Sequence, residues 1–331
     1  MRAPDFWFEP PPGPVNWRSK ALAPLAAIYA WGTARRMTQG TEMRSGVPVI
    51  CVGNLQVGGT GKTPVCIALA VRLQARGVKV HIVSRGYGGR LAGPVVVNER
   101  QHTAADVGDE PLLLSAFAPV VIARDRAAAV RLAVASGAAA ILMDDGFQNP
   151  AVAKDLSIVV VEAGRGFGNG KVLPAGPLRE PIEVGLKRAD LLLSIGEPLA
   201  QARFRDLWGA WIRVPHLTGT LRPLQTGMDW QGLQVFAFAG IGHPEKFFAT
   251  LRQMGADVVR AKGLPDHQPL SQRLLLRLEA EAQSIGAQLV TTEKDAVRLP
   301  EWFRPKILTL PVRFDLDDWS RLDSSLSRLG L

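Results

Sequence analysis

A strand, a glycine-rich turn and a helix follow one another in residues 47–73, and that succession constrains the fold more than any other feature of the chain. The apolar run Val47-Pro48-Val49-Ile50-Cys51-Val52 leads into Gly53-Asn54-Leu55-Gln56-Val57-Gly58-Gly59-Thr60-Gly61-Lys62-Thr63, and a helical pattern runs on from Val65 to Leu73. In that context a Gly-Lys-Thr triplet becomes a phosphate cradle. Gly58, Gly59, Thr60 and Gly61 let backbone N–H groups face a bound phosphate, and the helix N-terminus adds partial positive charge. Lys62 then reaches the terminal phosphates, while the Thr63 hydroxyl holds Mg²⁺. Pro64 suits the first helical turn, where its missing N–H costs nothing. Gln56 stands where the G-x-x-x-x-G-K-T spacing has its first glycine, so the loop is a divergent Walker A. A nucleoside triphosphate is the expected ligand.

The rest of the chain alternates in the same way. Strand signals at 78–83, 95–97, 120–123, 138–143, 158–161 and 191–195 lie between helical stretches such as 111–116 and 127–136. Short, uninterrupted apolar strands between helices imply a parallel sheet covered on both faces, with ligands at the carboxyl ends of its strands. Composition shifts after Gly196, tryptophans gather at Trp208, Trp211 and Trp230, and a second series of strands and helices begins. The expected fold class is α/β: a P-loop NTPase domain over 41–204, a smaller α/β domain over 205–331, and an N-terminal segment over 1–40.

Net charge is +9, which suits an anionic partner such as a phosphorylated substrate or an acidic membrane surface. The two cysteines, Cys51 and Cys66, have neither metal spacing nor a disulfide framework and fit a reducing compartment. Residues 1–17 carry two acids and five prolines ahead of any apolar run, which is wrong for a signal peptide. Residues 21–31 are apolar but interrupted by Pro24 and too short to span a bilayer. Arg18, Lys20, Arg35 and Arg36 flank them, with Trp17, Tyr29 and Trp31 among them. That pattern describes either a helix lying in a membrane interface or a terminal helix packed on its own domain.

Ala138 to Asp145 is an apolar strand ending in two carboxylates, and such a pair beside a P-loop completes a Mg²⁺ shell with Thr63. Gln148 lies within reach of the same site. The loop Asp106-Val107-Gly108-Asp109-Glu110-Pro111 opens a helix, where acids also serve as caps. Transfer to a hydroxyl does need a carboxylate to take the proton, and this loop can supply one. Arg124, in Arg124-Asp125-Arg126, is placed to neutralise phosphate charge or to pair on the surface, and Tyr87 to stack on a ligand or to pack. His267 is one of five histidines and lies in a proline-flanked loop.

Taken in order, GNLQVGGTGKTP, SRGYGG, VGDEP, ARDR, DDGFQ, LPAGPLRE, PDHQ and TTEKDAVRL resemble the motifs of the tetraacyldisaccharide 4'-kinases of lipid A synthesis. The resemblance spans about residues 15 to 300. It implies transfer of the ATP γ-phosphate to the 4'-hydroxyl of a membrane-embedded acylated disaccharide 1-phosphate. It also implies an active site between two domains, and peripheral attachment to the cytoplasmic leaflet of the inner membrane; a monomer is the expected state. Nucleic acid is not an expected partner. By the same resemblance Asp109 is the general base and His267 tunes or orients it. Glu110, Asp144 and Asp145 serve the Mg²⁺–ATP end with Lys62 and Thr63, Arg124 and Gln148 assist at the phosphates, and Tyr87 and Arg179 line the substrate side. Gln268 stands where the family often has a second histidine, and Gln56, if it contributes only backbone geometry, should matter little. The rival reading is a deviant Walker A switch NTPase acting on a protein partner, but such proteins carry a lysine ahead of the glycine pair, where this chain has Val57.

Overall fold

Side chains alternate across a strand, so a sheet buried on both faces needs apolar residues at every position. The computed structural model, which describes residues 3–11, 13, 16–39, 42–266 and 268–331, has strands of this kind. In chain order they are β1 (Val49–Gly53), β2 (Val80–Ser84), β3 (Val95–Val96), β4 (Val120–Ile122), β5 (Ala140–Asp144), β6 (Leu156–Glu162) and β7 (Leu191–Ile195). After these come β8 (His216–Pro223), β9 (Gln234–Ala239), β10 (Asp257–Gly263), β11 (Gln288–Thr292), β12 (Ile307–Leu310) and β13 (Val312–Leu316). Nine form one sheet in the order β13-β8-β7-β6-β1-β5-β2-β4-β3, and four form a second in the order β10-β9-β11-β12.

In the large sheet Val49 and Cys51 of β1 face one core layer, together with Met143, Val159 and the helix Arg126–Ala135. Ile50 and Val52 face the other, with Leu142, Ile158 and the helix Lys62–Ala75. The small sheet is sandwiched in the same way, between the helix Pro244–Gln253 on one face and the helix Gln272–Ser284 on the other. All its pairings are parallel.

The chain leaves the large sheet later than a boundary at 205 implies, and it returns. Strand β8 runs parallel to β7, β13 pairs antiparallel to β8, and the final helix Ser320–Arg328 packs Leu322 and Leu326 into the large unit's core. Residue 205 falls inside the helix Pro198–Trp208, where Phe204 and Trp208 close around Phe167. Of the tryptophans gathered there, Trp208 is therefore buried aromatic packing in the large unit, while Trp211 is exposed. Only Trp230 belongs to the small unit's core.

At the N-terminus, the helices Trp17–Ala21 and Ala23–Thr38 meet at Leu22, and Pro24 sits in the first turn of the second helix. Ala26 and Thr33 are buried, and the Ser19 hydroxyl donates to the Ala175 carbonyl at 2.8 Å. The opposite side leaves Trp17, Leu25, Ile28 and Trp31 more than half exposed. The helix thus packs by one stripe and offers a second apolar face outward. Among the described residues no helix is long and apolar enough to cross a membrane.

Candidate active site

Strand β1 ends at Gly53, and the chain then loops over residues 54–61 into the helix Lys62–Ala75. Gly61 has φ +90°, and a Cβ there would come within 2.5 Å of Ile195, so only glycine fits the turn into the helix. The Asn54 amide pins the loop from inside, donating to Thr60 Oγ1 at 3.1 Å and to the Gly58 carbonyl at 3.4 Å. A segment containing Pro177, Leu178 and Arg179 braces the loop from outside. Val57 N–H donates to the Pro177 carbonyl at 2.9 Å, and Arg179 N–H to the Leu55 carbonyl at 2.7 Å. Gln56 contributes more than backbone geometry: its side chain is buried and its amide donates to the Gly166 carbonyl. That corrects the expectation from sequence, which had no means of seeing a partner so distant along the chain.

The two acids at the tip of β5 separate into different environments. Asp145, with φ +51°, turns toward the cradle, where Lys62 Nζ lies 3.7 Å away and Arg179 grips both its carboxylate oxygens at 2.9 and 3.2 Å. Burial works against its charge, but Lys62 and Arg179 outweigh it and hold the carboxyl below its usual range. Asp144 is buried, accepts a hydrogen bond from Ser84 Oγ at 3.1 Å and lies 3.8 Å from Cys66 Sγ. Burial, and after it the negative charge of Glu110, push its carboxyl up to about 7. Gln148 donates to the Asn54 carbonyl at 2.8 Å and to Glu180 at 2.9 Å, and accepts from Arg179 at 3.1 Å. It therefore ties the base of the loop to Arg179.

Asp106 proves to be the structural acid of its loop: it closes a capping box with Thr103, and those hydrogen bonds lower its carboxyl to about 2. Asp109 and Glu110 instead start the helix Asp109–Ser115. Gly108, at φ +94°, brings the Tyr87 carbonyl so close that a Cβ would meet it at 2.5 Å. The Tyr87 side chain beside it is exposed. Glu110 pairs with Lys294 at 3.1 Å, and Arg298 Nε lies 3.9 Å from Asp109 Oδ2. Both cations stand on the small unit, just beyond the carboxyl end of β11. Burial would lower the Lys294 ammonium, but Glu110, Asp109 and Asp266 prevail and hold it above the usual lysine range. His267 lies outside the described residues.

Arg124 follows β4 with its side chain exposed, while Asp125 caps the helix Arg126–Ala135 through two backbone N–H groups. The buried arginine of that triplet is Arg126, which donates to the Ala123 carbonyl at 2.7 Å. Burial lowers its pKa, with Asp144 and Asp145 acting in the opposite direction. Sequence reasoning missed Arg126, Ser84, Glu180, Lys294 and Arg298. The last two carry a usable signal, since they follow a strand of a parallel sheet at its ligand-binding end.

Among the described residues no three His, Cys, Asp or Glu side chains cluster as a ready metal cage. Mg²⁺ with a nucleotide needs less: one or two carboxylates, a hydroxyl, phosphate oxygens and water. Asp144, made reluctant to ionise by burial and by the nearby Glu110, is the carboxylate a cation would relieve. Asp144, with Glu110 near enough to act on its charge, therefore fits the ion.

The chain matches the family profile for tetraacyldisaccharide-1-P 4'-kinase over residues 18–330. A tetraacyldisaccharide 4'-kinase of Jannaschia sp. is 61% identical over 329 residues, covering 99% of both chains. Another, of Dinoroseobacter shibae, is 62% identical over 330 residues, covering 99% of this chain and 98% of that one. Among solved structures, LpxK from Aquifex aeolicus in complex with ATP superposes with a TM-score of 0.77 at 26% identity, covering 94% of this chain and 99% of that chain.

Proposed function

The chain belongs to the tetraacyldisaccharide 4'-kinase family, and we propose that the cleft between the P-loop and the small unit is where its reaction takes place. The reaction is transfer of the γ-phosphate of ATP to the 4'-hydroxyl of a tetraacylated glucosamine disaccharide 1-phosphate, with ATP and Mg²⁺ as cofactors, in lipid A synthesis. One observation carries the proposal. The cradle and the acids at the β5 tip meet the Asp109–Glu110 helix start, and the small unit closes over it with Lys294 and Arg298. The switch-NTPase alternative has no support, since Val57 stands where its lysine belongs.

In this reading the residues divide the work. Backbone N–H groups of Gly58 to Thr63 take the β- and γ-phosphates, and Lys62 leaves Asp145 to neutralise charge on the group in transfer. Thr63 and Asp144, with Glu110, would hold Mg²⁺, which would offset negative charge on the phosphates. Asp109 takes the proton of the 4'-hydroxyl as its oxygen bonds to the γ-phosphorus and the bond to the bridging oxygen breaks, leaving ADP. His267 orients that carboxylate. Arg124 and Gln148 assist at the phosphates, Gln148 through Asn54, while Arg179 and the exposed Tyr87 line the acceptor side.

The two units act as domains, a large one ending with β8 and rejoined at β13, and a small one between them, which close to exclude water. The outward face of the helix Ala23–Thr38, with its basic flanks, rests on the cytoplasmic leaflet of the inner membrane, where the lipid acceptor is found. The test is to incubate the purified chain with γ-labelled ATP and a lipid disaccharide monophosphate in detergent. Label in the lipid supports the reading, and label released only as inorganic phosphate overturns it.

A further inference from the structure

Two cations four residues apart on the small unit hold both members of a two-residue unit on the large one. Lys294 Nζ lies 3.1 Å from Glu110 Oε1 and 3.6 Å from Asp266 Oδ1. Arg298 Nη1 donates to the Gln268 carbonyl at 2.9 Å, Nη2 pairs with Asp295, and Nε points at Asp109 Oδ2 from 3.9 Å. Each cation thus spans the same two segments: the start of the helix Asp109–Ser115, and the loop through Asp266 and Gln268.

We propose that Lys294 and Arg298 are a positioning pair, which sets the register of Asp109 and Glu110 against Asp266 and Gln268 of the small unit. The pair governs the rate of transfer and leaves nucleotide binding to the P-loop. The inference rests on the proposed role of Asp109 as base.

Three observations favour positioning over a merely structural ion pair. First, Arg298 is anchored from behind: Asp295, wholly buried, takes its guanidinium while also accepting from Gly240 N–H at 3.1 Å and from Thr292 Oγ1 at 2.6 Å. The arginine is therefore a rigid arm. Second, its Nε is buried and makes no hydrogen bond among the described residues, while the Asp109 carboxylate lies 3.9 Å from it. Domain closure of about 1 Å would turn that approach into a charge-assisted hydrogen bond, so the pair is set for a more closed state. Third, the approach of Arg298 to Asp109 is shielded from solvent, and charges so placed add little net stability, so what they contribute is geometry.

Arg298→Gln strips Asp295 of its partner and endangers the fold, so Lys294→Gln carries the test. Kinetics of the full chain at saturating lipid are measured alongside thermal melting. Spin-label distances are taken between Ala105→Cys on the large unit and Gln272→Cys on the small one, both exposed, while native Cys51 and Cys66 are buried. Lys294→Gln should lower kcat by about 30-fold, in keeping with the cost of ångström-scale misplacement. KM for ATP and Tm should stay close to wild type, the distance distribution should broaden, and Lys294→Arg should restore both kcat and the narrow distribution. A kcat near wild type, a rise in KM for ATP in its place, or lost turnover with an unchanged distribution would each overturn the proposal. Absence of transfer by the wild type would instead sink the kinase reading, and the distance measurement would still report on the pair.

Discussion

Replacing Asp144 by Asn should stabilise the metal-free protein while disabling it. The Asp144 carboxyl is buried at the tip of β5 and pushed up to about 7, from an ordinary 3.8. A displacement of about three units at about 1.4 kcal/mol each puts the cost of keeping it ionised at no more than about 4 kcal/mol. The sign follows from proton linkage. The folded state binds this proton more tightly than the unfolded chain, so the cost is absent below about pH 4, grows as pH rises toward 7, and is complete above it. Asn escapes the cost but brings two N–H donors to a site whose neighbours, Ser84 and Cys66, themselves donate, which reduces the gain to about 2 kcal/mol. In EDTA at about pH 8 the variant should melt roughly 3 °C above wild type, and the gap should close toward about pH 5. With Mg²⁺–ATP its turnover should fall by about 100-fold or more, since a metal ligand acting on transition-state charge is gone. A variant that melts below wild type at the higher pH without metal, or a gap independent of pH, would show that the Asp144 carboxylate carries no such cost.

Three further outcomes follow from the same geometry. Gln56→Ala should cost about 1–2 kcal/mol and raise KM for ATP, because the Gly166 carbonyl loses its donor and the loop its brace; denaturant unfolding with ATP kinetics checks this. Deleting residues 1–36 should reduce co-sedimentation with anionic liposomes and abolish its salt dependence, since each basic residue near the surface contributes about 1 kcal/mol; equal binding by both chains would leave the segment as packing alone. Asp109→Ala and His267→Ala should each lower kcat with little change in KM for ATP, and the double variant should be hardly worse than Asp109→Ala; full additivity of the two losses would end the dyad.

The large parallel sheet and the cradle were legible because their signals are local. Ile50, Val52, Leu142 and Ile158 are apolar at every strand position, and the Gly58–Thr63 turn sits between a strand and a helix. Strand β8, running from His216 to Pro223 through Thr218, Gly219, Thr220 and Arg222, has no such run. It is a strand because β7 and β13 pair with it on either side, so both it and the return of the chain at β13 escaped sequence reasoning. The acids show the same division. Asp144 and Asp145 are adjacent and chemically identical, and only the fold turns one into a buried carboxyl and the other into the partner of Lys62 and Arg179. Arg124 stood out by its position at the end of β4, yet the buried guanidinium is Arg126, because Asp125 between them caps a helix and points its neighbours to opposite sides. Lys294 and Arg298 were quoted within a motif but carried no role, since their partners lie on the other unit, far away along the chain.

The Lys62 cradle is proposed to deliver a phosphate to one particular hydroxyl of a lipid disaccharide. Wild type and Lys62→Ala are incubated with Mg²⁺–ATP and the disaccharide 1-phosphate, and the new phosphate is located by phosphorus–proton correlation NMR. Wild type should give a single new phosphomonoester on the 4'-oxygen, and a Lys62→Ala variant that melts normally should give none. A phosphate at another position, a product from the folded variant at near-normal rate, or ATP hydrolysis with the lipid unchanged would show that the cradle does not serve this transfer.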